Sequence, residues 1–306
     1  MQRRHFLAAP LALLPATLRG AAPRIDWSRL SLLTDEIARS ADEAIAFAHQ
    51  YNVQWVELRG VPGQRASYWE MEPDALRAAV QSFRDARLKV SFLNTSMLKY
   101  DLPGSTPELR GTPTPEALER RRKSGEARFA NRMDELRKAI RAAHAFEVDK
   151  IRVFTFTRTA QPLEILPRIA EILEPMARLA ESEGVQLLVE NEGSCNVCHC
   201  SELAALCKLV PSKAFGINWD PVNEMNRKGK PFPEGYALLP KARLHNVQMK
   251  ARALVIGPDL LDWAAIFRAI ENDGYKGKIG LETHVFDGTL IEKSHLCMAK
   301  LKELLA

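Results

Sequence analysis

Ala214-Phe215-Gly216-Ile217-Asn218-Trp219-Asp220-Pro221-Val222-Asn223 reads as a short apolar strand that ends in an acid, a proline and two residues later an amide. The same design occurs upstream, where Leu187-Leu188-Val189 ends in Glu190-Asn191-Glu192. It returns downstream in Asn246-Val247-Gln248-Met249-Lys250 and in Ile279-Gly280-Leu281-Glu282-Thr283-His284. Outward from these, β-branched and apolar runs recur at 30–33, 53–58, 88–93, 150–155, 185–189, 214–218, 244–249 and 278–281. Helix-period stretches separate most of them, at 42–50, 73–86, 127–146, 163–183, 202–209, 262–272 and 290–305. Parallel neighbours need a helical crossover, so eight strands alternating with helices predict a parallel sheet. Eight units suit closure better than an open sheet, which predicts a single-domain (β/α)8 TIM barrel over residues 23–306. A doubly wound sheet is the rival, but neither G-x-G-x-x-G nor G-x-x-x-x-G-K-[ST] follows the first strand.

Barrel enzymes keep their chemistry at the carboxyl ends of the strands. Side chains alternate along a strand, so Glu190 with Glu192, Gln248 with Lys250, and Glu282 with His284 each share a face. Glu190, Asp220, Gln248 and Glu282 therefore converge on one mouth. Three carboxylates so placed require a neutralising cation or raised pKa values. Oxygen ligands with at most one imidazole suit Mn²⁺ or Mg²⁺, with Co²⁺ and Zn²⁺ as further candidates.

At these residues the chain resembles the xylose isomerase-like barrels, the sugar phosphate isomerase/epimerase superfamily. The pieces are the fifth-strand Glu-Asn, the sixth-strand Asp-Pro-x-Asn, Asp262-Trp263, and the eighth-strand Leu-Glu in Gly-Tyr-x-Gly-x-x-Gly-Leu-Glu. The resemblance runs from about Leu30 to the C-terminus. It implies one divalent metal held by Glu190, Asp220, the seventh-strand residue and Glu282. It also implies that Glu190 and Glu282 move the substrate proton through an enediolate. The seventh strand departs from the family's His-x-Lys-Asp and reads Gln248-Met249-Lys250-Ala251. Gln248 takes the ligand position, with an amide oxygen in place of imidazole. His245, an odd spacing away, is expected to turn off the site. Lys250 is expected to hold an oxyanion, and Arg59, Arg152, Glu192, Asn223 and His284 are candidate hydroxyl binders. Glu57 and Arg59 have a plainer alternative as an ion pair at the rim, and Glu192 as a group behind the metal.

The expected activity is isomerisation or epimerisation of a free sugar or sugar derivative. A lyase acting on exported 3-keto-glycosides is the alternative from the same chemistry. A non-catalytic sugar- or metal-binding barrel is the alternative of another class, motivated by Gln248 and Ala251. An abasic-site endonuclease is disfavoured, because its metals would need more histidines than His49, His144, His199, His245, His284 and His295.

Two further features bear on partners. Residues 1–22 carry Arg3-Arg4, an apolar run to Leu18 and small residues Gly20-Ala21-Ala22. This predicts a twin-arginine-like export signal and a periplasmic protein. Its removal takes away Arg3, Arg4 and Arg19 and no acid, so the formal charge falls from +5 to +2. That excludes an electrostatic argument for nucleic acid, and a carbohydrate is the expected partner. No apolar run reaches the roughly 20 residues of a membrane span. Cys195-Asn196-Val197-Cys198-His199 and Cys200 match haem-attachment and metal patterns only weakly. Loop residues are the expectation there, with structural zinc, a disulfide or haem attachment as alternatives. Residues 96–126, rich in Pro, Gly, Thr and Arg, are read as a long loop after the third strand, a lid or mobile excursion. Within it Glu119-Arg120-Arg121-Arg122-Lys123 is expected to begin a solvated helix face.

Overall fold

The computed structural model describes residues 25–109 and 111–305. The export signal read at residues 1–22 lies outside them. Among the described residues, strands β1 (Leu30–Leu33), β2 (Trp55–Leu58), β3 (Lys89–Leu93), β4 (Lys150–Val153), β5 (Gln186–Glu190), β6 (Phe215–Trp219), β7 (Leu244–Lys250) and β8 (Lys278–Glu282) close in chain order into one parallel barrel. The crossovers are α1 (Ala41–Gln50), α2 (Pro73–Asp85), α3 (Pro115–Ala145), α4 (Pro162–Ser182), α5 (Cys200–Leu209), the short α6 (Pro221–Met225) and α7 (Tyr236–Leu238), and α8 (Trp263–Asn272), with α9 (Leu290–Leu304) after β8. No described helix is long and apolar enough to cross a membrane.

Strand β1 is buried at all four positions, as are β6 and β8 apart from Lys278, which is why these strands read as continuous apolar runs rather than alternations. Register then sets the site. Gln248 pairs with Gly280 and Lys250 with Glu282 between β7 and β8, while Glu190 pairs with Asn218 between β5 and β6.

The segment 96–126 is not one long loop. Helix α3 begins at Pro115, where the Thr114 hydroxyl accepts the Ala117 N–H at 3.3 Å and proline fills the first helical position. The Pro-Thr-Pro that reads as loop is thus a helix start. Arg122 pairs with Glu119 and Glu126 at 2.7 Å each, one turn away on either side, so the charge run forms a solvated helix face as expected. Nor is the remaining stretch a loose lid. Phe154, Phe156 and Thr157 donate their N–H groups to the carbonyls of Met97, Leu98 and Tyr100 at 3.0, 2.8 and 2.9 Å. Met97, Leu98, Tyr100 and Leu102 are buried, and Gly125 leaves room for the Asp101 carbonyl against α3.

Candidate active site at the barrel mouth

Glu190 ends β5, Asp220 follows β6 and Glu282 ends β8, and one oxygen of each lies within 4.8 Å of the others. All three are buried, so their mutual repulsion is little screened by water. The fold gives each its own cationic neighbour. Arg152 donates to Glu190 at 2.9 Å, the Lys250 ammonium lies 2.7 Å from Asp220 Oδ2, and Arg59 donates to Glu282 at 2.9 Å. Burial still pushes the Asp220 carboxyl up to about 6. Burial would also raise Glu282, but Lys250, His284 and Arg59 outweigh it and hold that carboxyl well below the usual range. For Lys250, burial disfavours the charge, and Asp220, Glu282 and Glu190 more than restore it.

Asp220 also caps α6, its Oδ1 accepting the Asn223 N–H at 3.0 Å. The proline after it occupies the first helical position, which accounts for the acid-proline-amide run in the sequence. Asn223 is fully engaged: its Oδ1 accepts from Lys250 at 2.8 Å, and its Nδ2 reaches the Asn191 carbonyl at 2.9 Å and Glu190 at 3.3 Å. Arg152 donates to Glu190 and to the Thr95 carbonyl at 3.1 Å. Both residues orient acids, and Arg152 keeps its second terminal amino group without a partner among the described residues.

Two buried oxygens, Gln248 Oε1 and Glu282 Oε2, lack a hydrogen-bond donor among the described residues. Asp220 Oδ2 has the Lys250 ammonium 2.7 Å away and no other partner among those residues. Leaving a buried acceptor unmet costs about 1–3 kcal/mol, so such groups mark ligand positions or stored strain. Hard oxygen donors from four strands, three of them carboxylates, fit a divalent cation.

Glu57 and Arg59 do not pair with each other. Arg59 stands at the rim, with its NH groups on Asp35 at 2.9 Å, on Glu36 and on Glu282. Glu57 lies deeper and fully buried, accepting from Asn94 at 3.0 Å, Asn246 at 3.1 Å and Gln248 at 2.5 Å. Its burial pushes its carboxyl up to about 7. His284 turns back in the left-handed region (φ 54°), placing its ring 3.4 Å from Glu282 and 3.6 Å from Glu36. Hydrogen bonding to those two acids raises it to about 9. Glu192 faces Lys99 at 2.9 Å rather than the acidic cluster, and although burial opposes ionisation, Lys99 holds it down at about 2. His245 turns away as expected, with its ring against Gly216.

The sequence reading passed over Asp35, Glu36, Asn218 and Asn246. The acidic pair just after β1 is a usable signal, since Arg59, Asp220 and His284 likewise follow a strand end. The two asparagines carried none, because inward amides on a strand look like any polar residue.

The cysteine-rich loop after β5 is a separate structure. Glu202 accepts from Arg158 at 2.7 and 3.2 Å and from the N–H groups of Cys198 and His199 at 2.7 and 2.9 Å. Asn196 ties the loop to the chain after β4, accepting the Thr159 N–H at 2.9 Å and donating to the Thr155 and Thr157 carbonyls at 2.8 and 2.9 Å. Cys195, Cys198, Cys200 and Cys207 are buried free thiols, so the disulfide alternative is corrected. None of them belongs to a group of potential metal ligands among the described residues.

The xylose isomerase-like TIM barrel family model matches residues 45–301. No curated protein matches the sequence. Among solved structures, the fold is similar to a D-allulose 3-epimerase from Methylomonas sp. in complex with D-allulose, at 16% identity over 93% of this chain and 98% of that one, with a TM-score of 0.64. A xylose isomerase-like TIM barrel protein from Mycobacterium smegmatis in complex with magnesium aligns at 14% identity, 92% and 98% coverage, and a TM-score of 0.62. The 3-keto-D-glucoside 4-epimerase of E. coli aligns at 13% identity, 90% and 98% coverage, and a TM-score of 0.62. At these identities the likeness is one of fold.

Proposed function

The chain belongs to the xylose isomerase-like TIM barrel family, and from that premise we propose that it is a sugar isomerase or epimerase. Its reaction is proton transfer at the carbon beside the carbonyl of a free sugar or sugar derivative. The observation that carries this reading is the set of donor-free buried oxygens beside three converging carboxylates. A divalent cation held by Glu190, Asp220, Gln248 and Glu282 would supply Lewis-acid polarisation of the substrate carbonyl, and the all-oxygen set favours Mn²⁺ or Mg²⁺ over Co²⁺ or Zn²⁺.

The protein's own groups divide the remaining work. Glu190 and Glu282 share the proton transfer, one of them taking the proton from the substrate carbon, and Arg59 fixes one oxygen of the Glu282 carboxylate. The partner glutamate must enter the step protonated to give a proton back, and exchange with solvent returns the pair to its starting state. Arg152 and Asn218, the latter at 2.8 Å, orient Glu190 for this. Lys250 stabilises the negative charge that develops on the substrate oxygen. His284, half-exposed and protonated at neutral pH, binds a hydroxyl at the rim. Glu192 and Lys99 form a second polar edge for the sugar.

One observation favours a glycoside over a free monosaccharide as the substrate, for the epimerase and the lyase reading alike. Beside His284 lies a cavity of about 520 Å³ lined by Arg252, Ile256 and Phe286, and Phe286 is 80% exposed. An exposed aromatic beside the site suits a second ring or aglycone better than a lone monosaccharide. The similarity to a 3-keto-D-glucoside 4-epimerase supports the same substrate class.

Solvent-deuterium exchange over free ketoses, aldoses and 3-keto-glycosides, with Mn²⁺ supplied, tests the proposal. Exchange without elimination is the expected result, and aglycone release makes the enzyme a lyase. No exchange with any sugar overturns catalysis and leaves a binding barrel. The export reading is a separate proposal, tested by the N-terminus of the mature protein: an intact residue 1 in the secreted fraction would sink it.

A further inference from the structure

Gln248 stands where the family's imidazole is expected, and an amide raises a problem that imidazole does not. Its two ends are nearly the same size, so a half-turn about the last side-chain bond would present NH₂ to the mouth instead of oxygen. A cation or a substrate hydroxyl proton needs the oxygen. Something must decide which end faces out.

The deciding group is Glu57. Its carboxylate is fully buried below the mouth and takes the Gln248 Nε2–H at 2.5 Å. The amide N–H groups of Asn94, Asn246 and Gln248 all point at Glu57, an arrangement that suits the ionised carboxylate. Against that form a reversed amide would put two oxygens at that separation, an acceptor against an acceptor. Glu57 is itself held by N–H donors from Asn94 and Asn246, so it cannot swing aside cheaply. The Asn246 amide also donates to Asn218 Oδ1 at 3.0 Å, which leaves the Asn218 NH₂ to donate to Glu190 Oε2 at 2.8 Å. One carboxylate therefore sets the direction of four amides, Gln248, Asn94 and Asn246 directly and Asn218 through Asn246. The result is a buried Gln248 amide oxygen without a donor among the described residues and an oriented Glu190. Gly280 makes the meeting of Glu57 and Gln248 sterically possible. A methyl group there would collide with Glu57 Oε1 and press on Gln248 Nε2 at 3.0 Å.

We propose that Glu57 is a positioning residue that fixes the Gln248 amide with its oxygen outward, so that a glutamine serves as the seventh-strand ligand. The inference rests on the cation reading of the site.

The experiment is a double-mutant cycle on Mn²⁺ affinity, measured by titration calorimetry on the full chain, with circular dichroism as the check of folding. Groups that orient a metal ligand typically contribute about 10- to 100-fold in affinity. Glu57→Gln should weaken Mn²⁺ binding by that range in the otherwise native chain. In a Gln248→Ala background it should add no further loss, because no amide remains to orient. An equal loss in both backgrounds, or none in either, overturns the role of Glu57 while the cation site stands. If Glu57→Gln does not fold, Glu57→Asp, which withdraws the carboxylate from Nε2, carries the same cycle. If the native chain takes up no Mn²⁺, the proposed function falls and this inference with it.

Discussion

Glu282 and Glu202 are both buried glutamates beside an arginine, yet they end in opposite conditions. Glu202, in the loop after β5, has both oxygens filled by Arg158 and by two backbone N–H groups. Glu282, at the barrel mouth, gives one oxygen to Arg59 and keeps the other without a donor. The same contrast separates Asn196, bonded on both ends, from Gln248, bonded only through its nitrogen. The loop is a finished structure whose polar groups consume one another. The mouth is an arrangement with valence left over, and that surplus marks it as a place for a ligand.

The largest expected effect comes from the mouth. Glu282→Gln should lower solvent-deuterium exchange by about 10²- to 10⁴-fold, the usual contribution of a general base, with the thermal unfolding midpoint held or raised. A fall in the midpoint large enough to unfold the variant would mean that Glu282 is structural like Glu202. Next comes the loop. Arg158→Met leaves Glu202 buried without its cation and should cost about 3–5 kcal/mol by chemical denaturation. Mn²⁺ affinity should stay unchanged, and a large shift in it would erase the separation between the two regions. A smaller effect of opposite sign is expected from Gln248→His. The Glu57 carboxylate can accept one imidazole N–H and aim the other nitrogen at the site, so Mn²⁺ binding should tighten by about tenfold in calorimetry. Weaker binding would show that the pocket is shaped for an amide alone. The smallest effect concerns the thiols. Burial pushes Cys195, Cys198, Cys207 and Cys297 up to about 12, and Cys200 higher still. At pH 8 the folded chain should give almost no reaction with a thiol reagent, and the denatured chain should titrate all of them. Fast labelling in the native state would contradict the closed loop.

Much of the barrel was legible because a strand buried on both faces writes itself as an apolar run. The expected 53–58 and observed Trp55–Leu58 differ only at an end. The strand-end acids were legible for the same reason: polarity begins where the sheet stops. Depth was not. Glu57 and Arg59 share a face, but two residues along a strand is roughly 6–7 Å, enough to put one inside the barrel and the other at its rim. Register was not legible either. Which amide meets Glu57 depends on how β2, β3 and β7 are staggered, and no single strand carries that information. The start of α3 was misread because Pro115 looks like a loop residue until Thr114 is seen to cap the turn it begins. Glu192 was placed by alternation on the Glu190 face, but it lies past the end of β5, where alternation no longer governs direction.

Gly280 contributes no functional group, touches no substrate in any reading of the site, and lies on a different strand from the residue it serves. Yet the orientation of the Gln248 amide is written partly at position 280, as an absence. A survey that ranks positions by the chemistry of their side chains would pass over it. An engineer who filled it with alanine to stiffen the strand would expect a gain in backbone rigidity. The same methyl group would evict Glu57 from its place and set the glutamine free to turn.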